Sequence, residues 1–173
     1  MTAPAHPDGI DEVSREKGGV AWVSWFRLVA IGALPVIGLL GYLGGAPSPT
    51  AKGASTAATI EVHSPRRLRN GIFFEYRIAV TARQPVADAV VAVPSALWRD
   101  FTINTMIPAA TEEEYVDGEY RFHFGPLDAG KSLRFKIDGQ INPPHIGTTH
   151  ARIRLLDGER EVTGVGISQT VLP

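Results

Sequence analysis

The sequence predicts one all-β sandwich domain carried on a single transmembrane helix. Three observations lead there. An uncharged apolar run lies near the N-terminus, the residues beyond it alternate apolar and polar at the period of a strand, and Asn-Gly and Asp-Gly pairs separate the alternating stretches. With 173 residues, 44% of them hydrophobic, the chain has material for one core.

Residues 1–19 mix Pro, Gly, Ala and charges without an apolar period, and read as a disordered cytoplasmic tail. Residues 20–45 read as the membrane helix. From Leu28 to Gly45 the chain is LVAIGALPVIGLLGYLGG, with no charged side chain. At ~1.5 Å per residue this crosses most of a bilayer core, and the stretch from Val20 completes the span. Trp22, Trp25 and Phe26 on one side and Tyr42 on the other are placed for the headgroup boundary, where amphipathic rings are favoured. Arg27 snorkels toward the N-terminal interface. Apolarity on every face, with Pro35 and five glycines inside the run, suits lipid better than a protein interior.

Orientation follows from the cations. Arg15, Lys17 and Arg27 precede the apolar core and only Lys52 follows it closely, so the N-terminus is expected in the cytoplasm and the C-terminal domain in the periplasm or cell exterior. The expected location is the inner (plasma) membrane, with a single pass. Cleavage as a signal peptide beside Ala46, Ala54 or Ala57 is the rival reading; the long leader, and Pro47 and Pro49 directly after the core, favour a retained signal anchor. Gly41 and Gly45 form a small-xxx-small pair of the kind that lets two helices approach.

Residues 46–58, rich in Ala, Pro, Ser, Thr and Gly, read as a flexible linker, and residues 59–173 as the domain. Ile72, Phe74, Tyr76, Ile78 and Val80 share one face of a strand; Tyr120, Phe122 and Phe124 alternate with Glu119, Arg121 and His123; Leu133, Phe135, Ile137 and Ile141 alternate with Arg134, Lys136, Asp138 and Gln140. Further strands are expected at Ile60 to His63, Val86 to Val93, Phe101 to Ile107, Ala151 to Leu156 and Val165 to Val171, for about eight in all. Asn70-Gly71, Asp117-Gly118 and Asp157-Gly158 offer the positive φ of tight hairpins.

The segment Phe124-Gly-Pro-Leu-Asp-Ala-Gly-Lys-Ser-Leu-Arg-Phe135, read as a hairpin, resembles the late strands of bacterial immunoglobulin-like or fibronectin-type-III-like sandwiches. The whole chain looks like a bacterial family of single-pass membrane proteins bearing such a domain. That resemblance implies an antiparallel immunoglobulin-like sandwich over residues 59–173 and brings no functional residues with it. The Cys, Trp, Cys signature of antibody domains is missing.

Composition excludes several chemistries. There is no Cys, hence no disulfide, thiolate metal site or cysteine nucleophile. A net charge of -1 gives no reason to expect nucleic acid. GPLDAGKS, with Gly125, Gly130, Lys131 and Ser132, satisfies the letters of a phosphate-binding loop, but that chemistry needs a helix after the loop and Leu133 to Ile141 alternate as a strand, so no nucleotide is expected.

His123, His145 and His150 are the candidate metal ligands, although surface histidines are the plainer reading without thiolates or a compact carboxylate cluster. Glu112 to Glu114 read as a solvated loop. Arg66, Arg67 and Arg69 make a basic turn between the first two expected strands, suited to anionic lipid or an acidic protein surface; a first strand leading away from the membrane puts the turn at the distal end and disfavours headgroups, and solvated arginines without a dedicated partner are the other reading. Trp98 reads as a plug at one end of the core, or as a partner-binding anchor.

The expected function is a membrane-anchored extracytoplasmic interaction or accessory module without catalytic activity or cofactor. It would meet the lipid bilayer and an envelope protein or its own copy. The alternative is an exported ligand- or metal-handling domain using those histidines.

Overall fold

The computed structural model describes residues 21–142 and 146–173. The expected cytoplasmic tail lies outside the described residues. Helix α1 spans Ala21–Leu39 with Pro35 inside it. Its 18-residue window Trp22–Leu39 is long and apolar enough to cross a membrane, and none of that window is buried. The helix ends short of the expected Gly45. Gly41, Gly44 and Gly45 take φ of 74, 93 and 79, a left-handed conformation that ends helices and that glycine alone adopts without strain. Gly41 is also crowded, since a Cβ there would stand 2.3 Å from the Ala46 Cβ. Gly41 and Gly45 therefore shape a turn, and do not form a small-residue face on α1.

Leu40–Pro173 is a second compact unit. Its described residues form eleven strands: β1 (Thr50–Ala54), β2 (Ala58–His63), β3 (Arg67–Arg69), β4 (Phe73–Ala82), β5 (Ala89–Pro94), β6 (Phe101–Ile107), β7 (Glu112–Val116), β8 (Glu119–His123), β9 (Ser132–Ile141), β10 (Gly147–Asp157) and β11 (Arg160–Leu172). They make two sheets, one in the order β1-β2-β4-β9-β6 and the other β3-β11-β10-β5-β8-β7. Pairing is antiparallel throughout except for β3, which runs parallel to β11. The all-β, sandwich-like architecture is as expected.

The two sheets share one core. Ile60, Tyr76, Ile78, Phe135 and Ile137 come from the first sheet and Val91, Val93, Phe122, Ile153 and Leu155 from the second. Each such side chain contributes ~1.5–3 kcal/mol by leaving water. Trp98, between β5 and β6, is 4% exposed. Its ring lies 5.5–6.1 Å from those of Tyr76, Phe101, Tyr120 and Phe122. Trp98 belongs to the core, so the partner-anchor reading is withdrawn.

Three strands fall where none was expected. β1 lies inside the stretch 46–58 read as a flexible linker, where it is held by a full ladder to β2. β3 is a three-residue strand made of the supposed basic turn. β7 contains Glu112 to Glu114, read as a solvated loop, and pairs residue by residue with β8.

The turns divide as well. Asp117 and Gly118, at φ 52 and 81, close the β7–β8 hairpin between Val116 and Glu119 as a two-residue loop with both central residues left-handed. Asp157-Gly158 begins the β10–β11 hairpin. Asn70-Gly71 instead carries the chain from one sheet to the other, Asn70 N–H donating to the Leu172 carbonyl and Gly71 N–H to that of Ile141. The Phe124 to Phe135 segment likewise links β8 to β9 in the opposite sheet, and is not a hairpin.

β6 is an outer strand of the first sheet, carries no charge, and leaves Ile103 and Ile107 exposed; its ladder to β9 slips between Ile103 and Thr105. At the other margin of that sheet, β1 lies against β11 of the opposite one. A Cβ on Gly53 would meet the Gly164 carbonyl oxygen at 2.3 Å, so glycine is what allows the backbones to touch.

Gly53→Ala should therefore destabilise the unit by about 1–3 kcal/mol, the cost of overpacking. Gly166→Ala in β11, whose Cβ would meet nothing within 4 Å, should be neutral or slightly stabilising. Denaturant unfolding of the full-length chain in detergent, followed by far-UV circular dichroism, measures both.

Candidate functional site

The candidate residues of Leu40–Pro173 fall in two places, and β1 decides where the first of them lies. After β1 leads away from Thr50, β2 returns and brings His63 back opposite Thr50. Arg66, Arg67 and Arg69 follow at once. They sit at the end where the chain enters the unit and not at the far end, correcting the placement expected from the sequence. Arg67 pairs with Thr170, and Gly147 with Val171, so the ends of β10 and β11 meet there too.

A cleft of about 830 Å³ opens at this end. Ala46, Pro47, Pro49, Ala51, Ala151 and Ile167 give it apolar walls, and Ser64, Ser168, Thr170, Arg66, Arg67 and His150 its polar groups. The Arg67 guanidinium lies 4.8 Å from the Tyr42 ring centroid, within the range of a cation–π contact. Arg69 Nε donates to the Leu43 carbonyl at 2.9 Å. Among the described residues, Arg66, Arg67 and Arg69 form no ion pair. Tyr42, expected as the second interfacial ring of the membrane helix, lies beyond α1 and beneath Arg67. Trp22, Trp25, Phe26 and Arg27 are on α1, with all three rings exposed.

The second place is the outer face of the β10-β5-β8-β7 sheet. Val90, Ala92 and Leu156 point away from the core and are nonetheless buried. Their cross-strand neighbours explain this: Val90 stands opposite His123 and Ala92 opposite Arg121 and Arg154, on the same face. The long cationic stems cover the aliphatic strip and keep their heads in an ion network. Arg121 Nη1 donates to both Glu159 carboxylate oxygens, at 3.0 and 2.9 Å, and to Glu114 at 3.5 Å. Arg154 pairs with Glu119 and Glu161.

His123 Nδ1 lies 2.7 Å from Asp88 Oδ2, and Nε2 lies 3.4 Å from Glu114 Oε1. Burial lowers the His123 pKa, but the hydrogen bonds and charges of Asp88 and Glu114 outweigh it and the net shift is upward. Glu119, Arg121 and His123 are the polar side of an alternating strand, yet the side chains of Arg121 and His123 are only 8% and 20% exposed. Asp88 and Glu159, which complete the network, carry no signal in the sequence, because partners across strands become visible only once the register is known.

The candidate metal ligands do not converge. His145 lies outside the described residues. His150 is at the cleft, six positions along β10 from Leu156, which is level with Val90 and His123. That is ~20 Å at the rise of a strand. Among the described residues, no group of three or more His, Asp or Glu is arranged to hold a metal. GPLDAGKS leads directly into β9 and not into a helix, so it lacks the helix N-terminus that would receive a phosphate.

No protein-family model and no curated protein sequence matches the chain. Among solved structures it is similar to AvmM, which catalyses macrocyclization in alchivemycin A biosynthesis, at 12% identity and a TM-score of 0.42 over 67% of this chain and 88% of that one. It is also similar to a Niemann-Pick type C2 protein from the Japanese carpenter ant, at 9% identity and a TM-score of 0.38 over 73% of this chain and 96% of that one. Likenesses this distant carry no argument about activity or ligand.

The His123 network predicts a pH dependence. A folded-state pKa above the ordinary 6.5 means that the stability His123 contributes is complete below about pH 6.5 and is lost as pH rises through the raised value. The melting temperature of the full-length chain should fall over that rise. His123→Gln should show a flatter profile, and the difference between the two curves isolates the imidazole.

Proposed function

We propose that this chain is a membrane-anchored extracytoplasmic interaction module without catalytic activity. In this reading α1 is a retained single-pass signal anchor in the inner membrane with its N-terminus in the cytoplasm. Leu40–Pro173 is then an immunoglobulin-like sandwich displayed in the periplasm or outside the cell, where it meets an envelope protein or a second copy of itself. The observation that carries the reading is the helix: an 18-residue apolar window with none of it buried, joined directly to a unit that has its own core. Such a helix in water would expose Trp22, Trp25, Phe26 and Leu28 to Leu39 at a cost that a bilayer removes.

The immunoglobulin-like type is supported by antiparallel sheets stacked on one core, and the accessory role by a second unit whose charged groups are largely spent on each other across its strands. Metal handling by His123 and His150 has no support in their separation along the sheet.

Because the chain has no Cys, single introduced cysteines report topology without background. A membrane-impermeant maleimide added to intact spheroplasts should label Lys131→Cys, an exposed position of the sandwich, and should reach Ser14→Cys in the tail only after lysis. The reverse pattern would overturn the orientation. Crosslinking of intact membranes should capture the sandwich reproducibly with one envelope protein or with itself; capture with neither would remove the interaction reading.

A further inference from the structure

The end of Leu40–Pro173 that receives the chain from α1 has an unusual surface chemistry. Arg66, Arg67 and Arg69 lie there without ion-pair partners among the described residues. Ile72 and Phe73, which follow them, are 41% and 72% exposed, and Ile146, just ahead of β10, is 59% exposed. These positions belong to one end of the fold: Thr170 pairs with Arg67 and Val171 with Gly147, while Gly71 N–H donates to the Ile141 carbonyl and Phe73 pairs with Gln140. No Asp or Glu occurs in residues 40–50, 62–74 or 139–147. The acids bordering this end are Asp100, whose carbonyl accepts from Asn142 N–H and which follows Arg99, and Glu75 and Asp138, which pair with Lys136.

Cations beside bare aliphatic and aromatic tips, with almost no anion among them, match the interfacial layer of an anionic bilayer. Phosphates meet the guanidinium groups and the tips enter the acyl boundary. Chain connectivity supplies the proximity. Tyr42, held under Arg67, is only three residues past Leu39, at most about 11 Å of chain, and the headgroup layer is about 5–8 Å deep. An acidic protein surface would satisfy the arginines but would leave the apolar tips without a purpose.

We propose that this end of the sandwich docks on an anionic phospholipid surface, with Arg66, Arg67 and Arg69 taking headgroup phosphates and Ile72, Phe73 and Ile146 inserting beside them. The docking rests on α1 being a membrane anchor. It holds the sandwich against the bilayer, so that the opposite end and the outer sheet faces are what the module presents to a partner.

The test is hydrogen exchange of the full-length chain in nanodiscs of phosphatidylcholine alone and of phosphatidylcholine with about 30% phosphatidylglycerol. Amides in residues 64–73 should exchange about fivefold more slowly in the anionic discs, in line with one engaged arginine, and the slowing should vanish at about 0.5 M NaCl. Arg66→Gln/Arg67→Gln should abolish the difference between the discs. Phe73→Ser, at an exposed position, should reduce the protection while leaving the fold intact, and keeps the test decisive if the double variant unfolds.

Equal exchange in both discs overturns the docking. So does the same slowing produced by inorganic phosphate in neutral detergent, which would mark a soluble-anion site. A chain that is not retained by the disc fails the anchor reading and the docking with it, whereas a chain that inserts with residues 64–73 unaffected fails the docking alone.

Discussion

The fold depends on burying the alternating apolar faces of two sheets against each other. With no Cys there is no covalent staple, so the ordering entropy of Leu40–Pro173 is offset by burial and by ladder hydrogen bonds. Tyr76 and Trp98 stand near the centre of this arrangement, their rings 6.1 Å apart and linked onward to Phe74, Phe101, Tyr120 and Phe122. Burial pushes the Tyr76 phenol pKa far up, because the phenolate would lose its hydration there. The same constraint accounts for β5, buried on both faces: its inner residues join the core, and Val90 and Ala92 on the other side are sealed by arginine and histidine stems.

How much of this was legible in the sequence depended on how each strand obtains its stability. β2, β4, β9, β10 and β11 alternate because their side chains are sorted between core and solvent, β5 is a continuous apolar run buried on both faces, and these, with β6 and β8, were each anticipated near their places. β1, β3 and β7 were not. TAKGA, RLR and EEEYV have little apolar surface of their own, and they are strands because a neighbouring strand offers a ladder. Missing β1 had a large consequence, since one unseen strand reverses the direction of travel and moved the three arginines to the wrong end. The turns show the same limit. Asp-Gly and Asn-Gly report a change of direction without saying whether the chain returns beside itself or crosses to the other sheet.

Of the candidate residues, hydropathy put Trp22, Trp25, Phe26 and Arg27 on an apolar helix, whereas between the two readings of Trp98 only its 4% exposure decides. The His123 network was invisible because its members come from the bend before β5, from β7 and β8, and from the β10–β11 loop. Wet-face alternation and a buried ion network look identical until strand order is known. Charge in this unit therefore divides into two kinds. On the outer sheet face opposite charges are interleaved and satisfy each other, whereas at the chain's entry point Arg66, Arg67 and Arg69 have no ion-pair partner among the described residues.

The two sheets end differently, and β6 is the least guarded margin. β7 carries glutamates and β1 is covered by β11, but FTINTMI presents peptide groups with no charge to deter another strand. Its own irregularity limits the hazard. The slip at Asn104 divides the margin into two runs of three residues, Phe101 to Ile103 and Thr105 to Ile107, so an incoming strand loses register after three positions. Straightening that kink by deleting Asn104 would produce an uninterrupted sticky border, and with it a tendency of crowded copies to zip together into fibrils.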